Sequence, residues 1–242
     1  MNATSDSSAG QVLVLQHEPA ERPCRVGDAL DAAGLGQRVI MTPEGELAAV
    51  DIAAYRGLVV LGGSMGLADV QATPWLADEV RLIESAVYAN VPVLGICLGS
   101  QLLAHVLGGG VTTGEWGLGW GEVSLTEAGQ SDAVFGVLPT AFPALHWHHD
   151  WLVPPPSAEV LAIDAVGSDS RGCQAFRAGR SLGILCHVEA DAQQIAAMAS
   201  DFGEDLSAAE VSPADLRADT AARDAHASAL AEALFGRWAS TL

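Results

Sequence analysis

The residue best equipped for chemistry is Cys97, set in V-P-V-L-G-I-C-L-G-S-Q-L-L-A-H-V-L-G-G from Val91 to Gly109. The apolar run after Pro92 reads as a short buried strand and Gln101 to Leu107 as the start of a helix, so only a tight turn fits between them. Gly95 and Gly99 bracket the cysteine as G-x-C-x-G, the thiol counterpart of the G-x-S-x-G elbow that holds a nucleophile between strand and helix. Such a turn exposes the sulfur at a helix N-terminus. Free N–H groups and the helix dipole there favour the thiolate, the form that attacks a carbonyl carbon. The competing reading is a cysteine merely buried in a strand; the paired glycines and the helix directly behind bring the two readings level.

A thiol nucleophile needs a base and a group that orients the base. Among seven histidines, His187 stands out in G-I-L-C-H-V-E-A, closing the apolar run Leu182 to Cys186 and followed two positions on by Glu189. Residues i and i+2 at the end of a strand point to the same face, so the carboxylate can fix the imidazole tautomer while the other ring nitrogen faces Cys97. Taken alone, His187 reads as an ordinary strand-end histidine; paired with Cys97 and Glu189 it completes a Cys-His-acid set.

The elements that must position these groups alternate. Val12 to Leu15 is a continuous apolar run ending in Gln16 and His17, Arg25 to Ala33 reads as a helix, and Val39 to Met41 as a second strand. Leu58 to Leu61 forms a third strand running into Gly62 and Gly63. The backbone N–H of Gly63, with that of Leu98, is placed to bind the oxyanion formed when the thiolate attacks an amide. Thr73 reads as a cap for a helix with Pro74 at its first position and Leu76, Val80, Ile83 and Val87 on one face. This succession predicts an α/β fold with a mostly parallel sheet and helices on both faces. After Gly110, segments Gly121 to Leu125, Val160 to Ile163, Gln174 to Arg177 and Leu182 to Cys186 read as strands extending that sheet. Ala192 to Met198 reads as a short helix, Asp201 to Glu210 as an acidic loop, and about 213–239 as a C-terminal helix opened by Ser212-Pro213-Ala214-Asp215. Leu230, Leu234 and Trp238 give that helix one apolar edge to pack on the domain; a partner-binding helix is the alternative.

Length and composition narrow the class. A chain of 242 residues fits a single domain over 11–242, preceded by a polar tail at 1–10 that lacks the basic and apolar regions of a secretion signal. No apolar run is long enough to span a bilayer. Four cysteines without paired spacing argue for reduced thiols in a cytoplasm. A net charge of −19 argues against nucleic acid and anionic membrane surfaces as partners. His146, His148, His149 and Asp150 supply zinc-type ligands, but their spacing is denser than a helical H-x-x-x-H, and no metal is expected. No cofactor is implied.

Together these motifs resemble the class I glutamine amidotransferases. G-I-C-L-G-S-Q followed 90 positions later by C-H-V-E is similar to the family's G-x-C-x-G-x-Q and F-H-P-E. L-V-V-L-G-G-S-M-G at Leu58 to Gly66 is similar to its glycine loop. E-W-G-L-G-W at Glu115 to Trp120 and H-W-H-H-D at His146 to Asp150 resemble segments of stand-alone members related to the glutaminase part of GMP synthetase. Val188 replaces the usual proline, Cys186 the usual aromatic residue and His149 the glycine before Asp150. The resemblance implies a flavodoxin-like sheet and a triad of Cys97, His187 and Glu189 acting on the γ-carboxamide of glutamine through a thioester. It also implies Gly62, Gln101 and His148 as substrate contacts, and ammonia passed to a separate synthetase subunit. Two alternatives stay open: a stand-alone hydrolase of γ-glutamyl compounds using the same triad, and a catalytically weak binding or regulatory homologue, for which Val188 is the only support.

Overall fold

The computed structural model describes residues 10–164 and 172–242; the polar segment read as a tail lies, apart from Gly10, outside them. Five strands form a parallel layer in the order β2-β1-β3-β4-β9: β1 Gln11–Gln16, β2 Gly36–Met41, β3 Gly57–Val60, β4 Val93–Ile96 and β9 Ser181–Ile184. Period-two alternation sends Val12 and Val14 to one face and Leu13 and Leu15 to the other, and all four are fully buried. Helices α1 (Cys24–Ala32) and α7 (Pro213–Ala239) cover the first face, packing Val26, Leu30, Leu230, Leu234 and Trp238 into its core. Helices α2 (Pro74–Tyr88) and α3 (Leu98–Val106) cover the second with Leu76, Ile83, Leu98 and Leu102. Trp238 is only 2 % exposed, and removing a side chain of that size from such a core costs about 3–5 kcal/mol. The apolar edge of α7 is therefore spent on the domain itself. Ser212 caps this helix, accepting from the Asp215 N–H at 3.3 Å, whereas Thr73 makes no side-chain cap bond to α2.

The expectation of a mostly parallel sheet holds for one half only. Strand β8 (Cys173–Ala178) pairs antiparallel with β9, and from there the sheet continues through β6 (Ala141–Val153), β5 (Gly110–Leu125) and β7 (Glu159–Asp164), antiparallel throughout, with the short helix α4 (Glu127–Ser131) between β5 and β6. Because β7 also pairs with β8, strands β5, β6, β8 and β7 close into a small barrel instead of extending an open sheet. Bulges between Thr113 and Gly117 and around Val160 to Ile163 add the twist that closure demands. The thirteen-residue β6 departs from expectation: Pro143 reads as a strand breaker, and the histidines of H-W-H-H-D mask the alternation. The stretch Asp201 to Glu210 is also not a loop, since α5 (Ala192–Asp201) is followed by α6 (Gly203–Ala208), with Leu206 buried against Leu145 and Trp147. Among the described residues no helix is long and apolar enough to cross a membrane.

Candidate active site

Cys97 stands between β4 and α3 with φ 48° and ψ −110°, a conformation that costs a non-glycine residue about 1–3 kcal/mol and persists only where its surroundings enforce it. The enforcement is visible on both sides. The Cys97 N–H donates to the Ile184 carbonyl on β9 at 2.8 Å, and the Gly99 N–H to the Leu61 carbonyl at 3.1 Å. A β-carbon on Gly95 would lie 2.4 Å from the Gly99 carbonyl oxygen, and one on Gly99 would lie 2.1 Å from that of Val60. Only glycine fits at either place, which is the physical content of G-x-C-x-G. The sulfur, in a residue 6 % exposed, faces the Trp147 carbonyl oxygen at 3.8 Å.

His187 follows β9 and is fixed by a two-way backbone bridge to Leu145 of β6, donating to its carbonyl at 2.7 Å and accepting from its N–H at 3.2 Å. Its Nδ1 lies 2.7 Å from Glu189 Oε1, with both residues 2 % exposed. The ionised carboxylate only accepts, so Nδ1 carries the proton. Nε2 is buried and has no hydrogen-bond partner, which leaves it free to act on a reacting group. Burial opposes the imidazolium, but the Glu189 carboxylate and the Cys97 sulfur outweigh it and hold His187 well above its usual pKa. Burial instead pushes the thiols of Cys24 and Cys173 up to about 12 and that of Cys186 higher still, so these three stay protonated.

The glycine loop after β3 is held by a pair that the sequence motifs do not single out. His17 Nδ1 lies 2.6 Å from the Gly62 carbonyl oxygen, and its Nε2 lies 2.9 and 3.0 Å from the two carboxylate oxygens of Glu79. Both partners accept, so both ring nitrogens donate and the imidazole is cationic. Burial works against that charge, but Glu79 outweighs it and raises the pKa of His17. In a trans peptide the N–H of Gly63 points opposite to the Gly62 carbonyl, and there are no cis bonds among the described residues. By holding that carbonyl, His17 turns the Gly63 N–H the other way. A glutamate on the apolar stripe of α2, one position before Val80, is the sequence signal for this pair.

A cavity of about 500 Å³ opens over the sulfur. Cys97, Gly63, Gln101 and His148 line it, while Gly62, Leu98, His187 and Glu189 lie outside its lining. Gln101 Oε1 and both ring nitrogens of His148 are buried without protein partners. Burial, with smaller contributions from neighbouring histidines, pushes His148 down to about 3, so its ring is neutral. Methyl groups at Gly117 and Gly121 would come within 2.9 Å of the His148 and His146 rings respectively, which explains the glycines spaced along β5. His146 and His148 pack as aromatic rings, the latter edge-on to Trp151 at 4.7 Å. Among the described residues, no group of three His, Cys, Asp or Glu is arranged to hold a metal ion.

The cavity has one further member that sequence reasoning passes over. Glu21, in the loop between β1 and α1, is 5 % exposed and its Oε2 has no partner. Burial pushes its carboxyl up to about 7. The sequence signal is slight, a lone acid between Pro19 and Pro23.

Comparison with known proteins bears on this arrangement. The model of the family described as glutamine amidotransferase class-I matches residues 32–195, a span that holds Cys97, His187 and Glu189 but not His17 or Glu21. The chain is 32 % identical over 136 residues to the glutamine amidotransferase-like protein YfeJ of Salmonella typhimurium, covering 54 % of each chain. It is 29 % identical over 122 residues to a subunit of the glutamine-hydrolysing GMP synthase of Halobacterium salinarum, covering 48 % of this chain and 60 % of that one. It thus spans about half the length of the curated relatives it matches. Over nearly its whole length it superposes on a glutamine amidotransferase from Thermotoga maritima, with TM-score 0.85, 27 % identity and 96 % and 98 % of the two chains covered. A glutamine amidotransferase from Methylobacillus flagellatus gives TM-score 0.84 and 28 % identity, with 96 % and 95 % covered. With the elbow, the glycine loop and the post-β9 histidine all inside the matched span, the chain belongs to the class I glutamine amidotransferases.

Proposed function

We propose that this protein is a glutaminase that hydrolyses the γ-carboxamide of glutamine through a Cys-His-Glu triad and a thioester, and passes the ammonia to a separate acceptor enzyme. The observation that carries the reading is the strained elbow cysteine together with a histidine whose far nitrogen is bonded to Glu189. Cys97 thiolate attacks the amide carbon, and the N–H groups of Gly63 and Leu98 receive the oxyanion. His187 gives its proton to the departing nitrogen, then takes one from water, and the hydroxide so generated releases glutamate from the thioester. Glu189 keeps the ring in the working tautomer, and His17 keeps the Gly63 donor aimed. Gln101 and His148 make the wall against which the glutamyl part lies, whereas Gly62, expected as a third contact, lies behind it against Glu21. The parallel half of the sheet, with ligands above its carboxyl ends, is read as flavodoxin-like. A separate acceptor is supported by the curated relatives named as subunits of GMP synthase. A chloroketone analogue of glutamine tests the reading: it should alkylate Cys97 alone among the four thiols, with glutamine protecting. Uniform labelling of all accessible cysteines, or none at Cys97, would contradict it.

A further inference from the structure

Glu21 has a position that packing alone does not explain. Its loop is tied at one end by His17 to the Gly62 carbonyl, and at the other by Arg25, whose backbone N–H donates to the Glu189 carbonyl at 3.3 Å and whose guanidinium donates to that of Ala190. Between these ties the carboxylate lies directly on Gly62, so that a β-carbon there would sit 2.0 Å from Glu21 Oε2. The charges that act on it through space are those of His187, His17, Glu18 and Glu189. The described residues lining the cavity include six carboxylates, Glu21, Asp69, Asp150, Asp201, Glu204 and Asp205, and no arginine. The chain contains no lysine at all. A buried carboxyl with a free oxygen and no protein donor keeps its proton at low pH, and once ionised it is satisfied by a donor from the substrate.

The scissile amide offers an oxygen that only accepts and a nitrogen that carries N–H donors. A carboxylate repels the developing oxyanion and attracts the N–H, and of the charged groups that act on Glu21 the strongest is His187, the group that must protonate the nitrogen. Resting on the function proposed above, we infer that Glu21 holds the departing nitrogen and restricts the site to carboxamides and to amides of neutral or cationic amines, against γ-glutamyl amino acids. In the first half-reaction the Cys97 S–C bond forms and the C–N bond breaks. The electron pair of the broken bond stays on nitrogen, and the His187 proton completes the amine. Glu21, in its ionised form, accepts a hydrogen bond throughout and exchanges no proton. An amino-acid leaving group carries a carboxylate on the carbon next to that nitrogen, which brings like charges together beside a buried acid.

The test compares glutamine, γ-glutamyl methylamide and γ-glutamylglycine on the wild type and on Glu21→Gln, with Cys97→Ala as the blank. Wild-type kcat/KM should favour the first two over γ-glutamylglycine by about 100-fold or more, and Glu21→Gln should shrink that ratio about tenfold while lowering turnover of glutamine. The chloroketone analogue has no departing nitrogen, so in Glu21→Gln its rate of Cys97 labelling should fall far less than glutamine turnover does. An unchanged ratio in Glu21→Gln, a wild type that prefers γ-glutamylglycine, or a matching fall in labelling would overturn the role of Glu21. Absence of Cys97-dependent release from all three substrates would overturn the proposed function and this inference together.

Discussion

His187 Nδ1 lies 2.7 Å from Glu189 Oε1 although a valine, not a proline, stands between them. The bridge between His187 and Leu145 and the burial of Val188 in the core hold the segment, so the turn does not depend on a proline ring. Changing Glu189 to Gln keeps the shape but removes the charge. His187 should then titrate lower than in the wild type, as followed by NMR of labelled histidine, and kcat should fall on the order of 10²–10⁴-fold. An unmoved His187 titration would mean that Glu189 does not set its protonation.

Strain at the elbow predicts a reversed glycine effect. At an ordinary position alanine is more stable than glycine, but at φ 48° the β-carbon is the problem. Cys97→Gly should therefore be more stable than Cys97→Ala by about 1 kcal/mol in denaturant unfolding, while both are inactive. Ala more stable than Gly at this site would show that the turn is not strained.

Removing the His17 cation releases the Gly62 carbonyl and lets its peptide plane rotate. His17→Asn and Glu79→Gln should each lower kcat by about 10²-fold with KM little changed, since a misaimed oxyanion donor affects the transition state more than the ground state. Steady-state kinetics on glutamine decide this, and a rise in KM at constant kcat would assign the pair to substrate binding instead.

Glu21 leaves a mark on stability as well. Its folded pKa of about 7 stands above the ordinary 4.5, so the folded protein keeps a proton that the unfolded chain has released between those values. Stability from this group is complete below pH 4.5 and is lost as pH rises through about 7, by roughly 3 kcal/mol at most. Glu21→Gln should thus match the wild type near pH 4.5 and exceed it at pH 8 in unfolding free energy. A constant difference across that range would mean that Glu21 does not titrate in this window.

Much of the parallel half is legible in the sequence because β1 and β3 are short apolar runs ending in a polar turn or glycine, and because the glycines around Cys97 are demanded by two backbone contacts. Cys97 can be named because it follows β4 directly, and His187 because it ends the apolar run that carries β9, although the strand itself stops at Ile184 and a bridge to Leu145 fixes the histidine; Glu189 follows from its spacing to His187. The antiparallel barrel is not legible. Its strands carry glycines at 117 and 121 to admit imidazoles, and Pro143 and the histidines hide the alternation of β6. Glu21, His17 and Glu79 escape because their roles lie in contacts across 41 to 62 positions of chain, which no local pattern reports.

The central claim is that Cys97 hydrolyses the γ-carboxamide of glutamine, and glutamate release from glutamine by the purified chain, with Cys97→Ala beside it, tests that most directly. Release that depends on Cys97, with one ammonia formed per glutamate, is the predicted result. Equal release by both proteins, or release of neither product from glutamine, would contradict it.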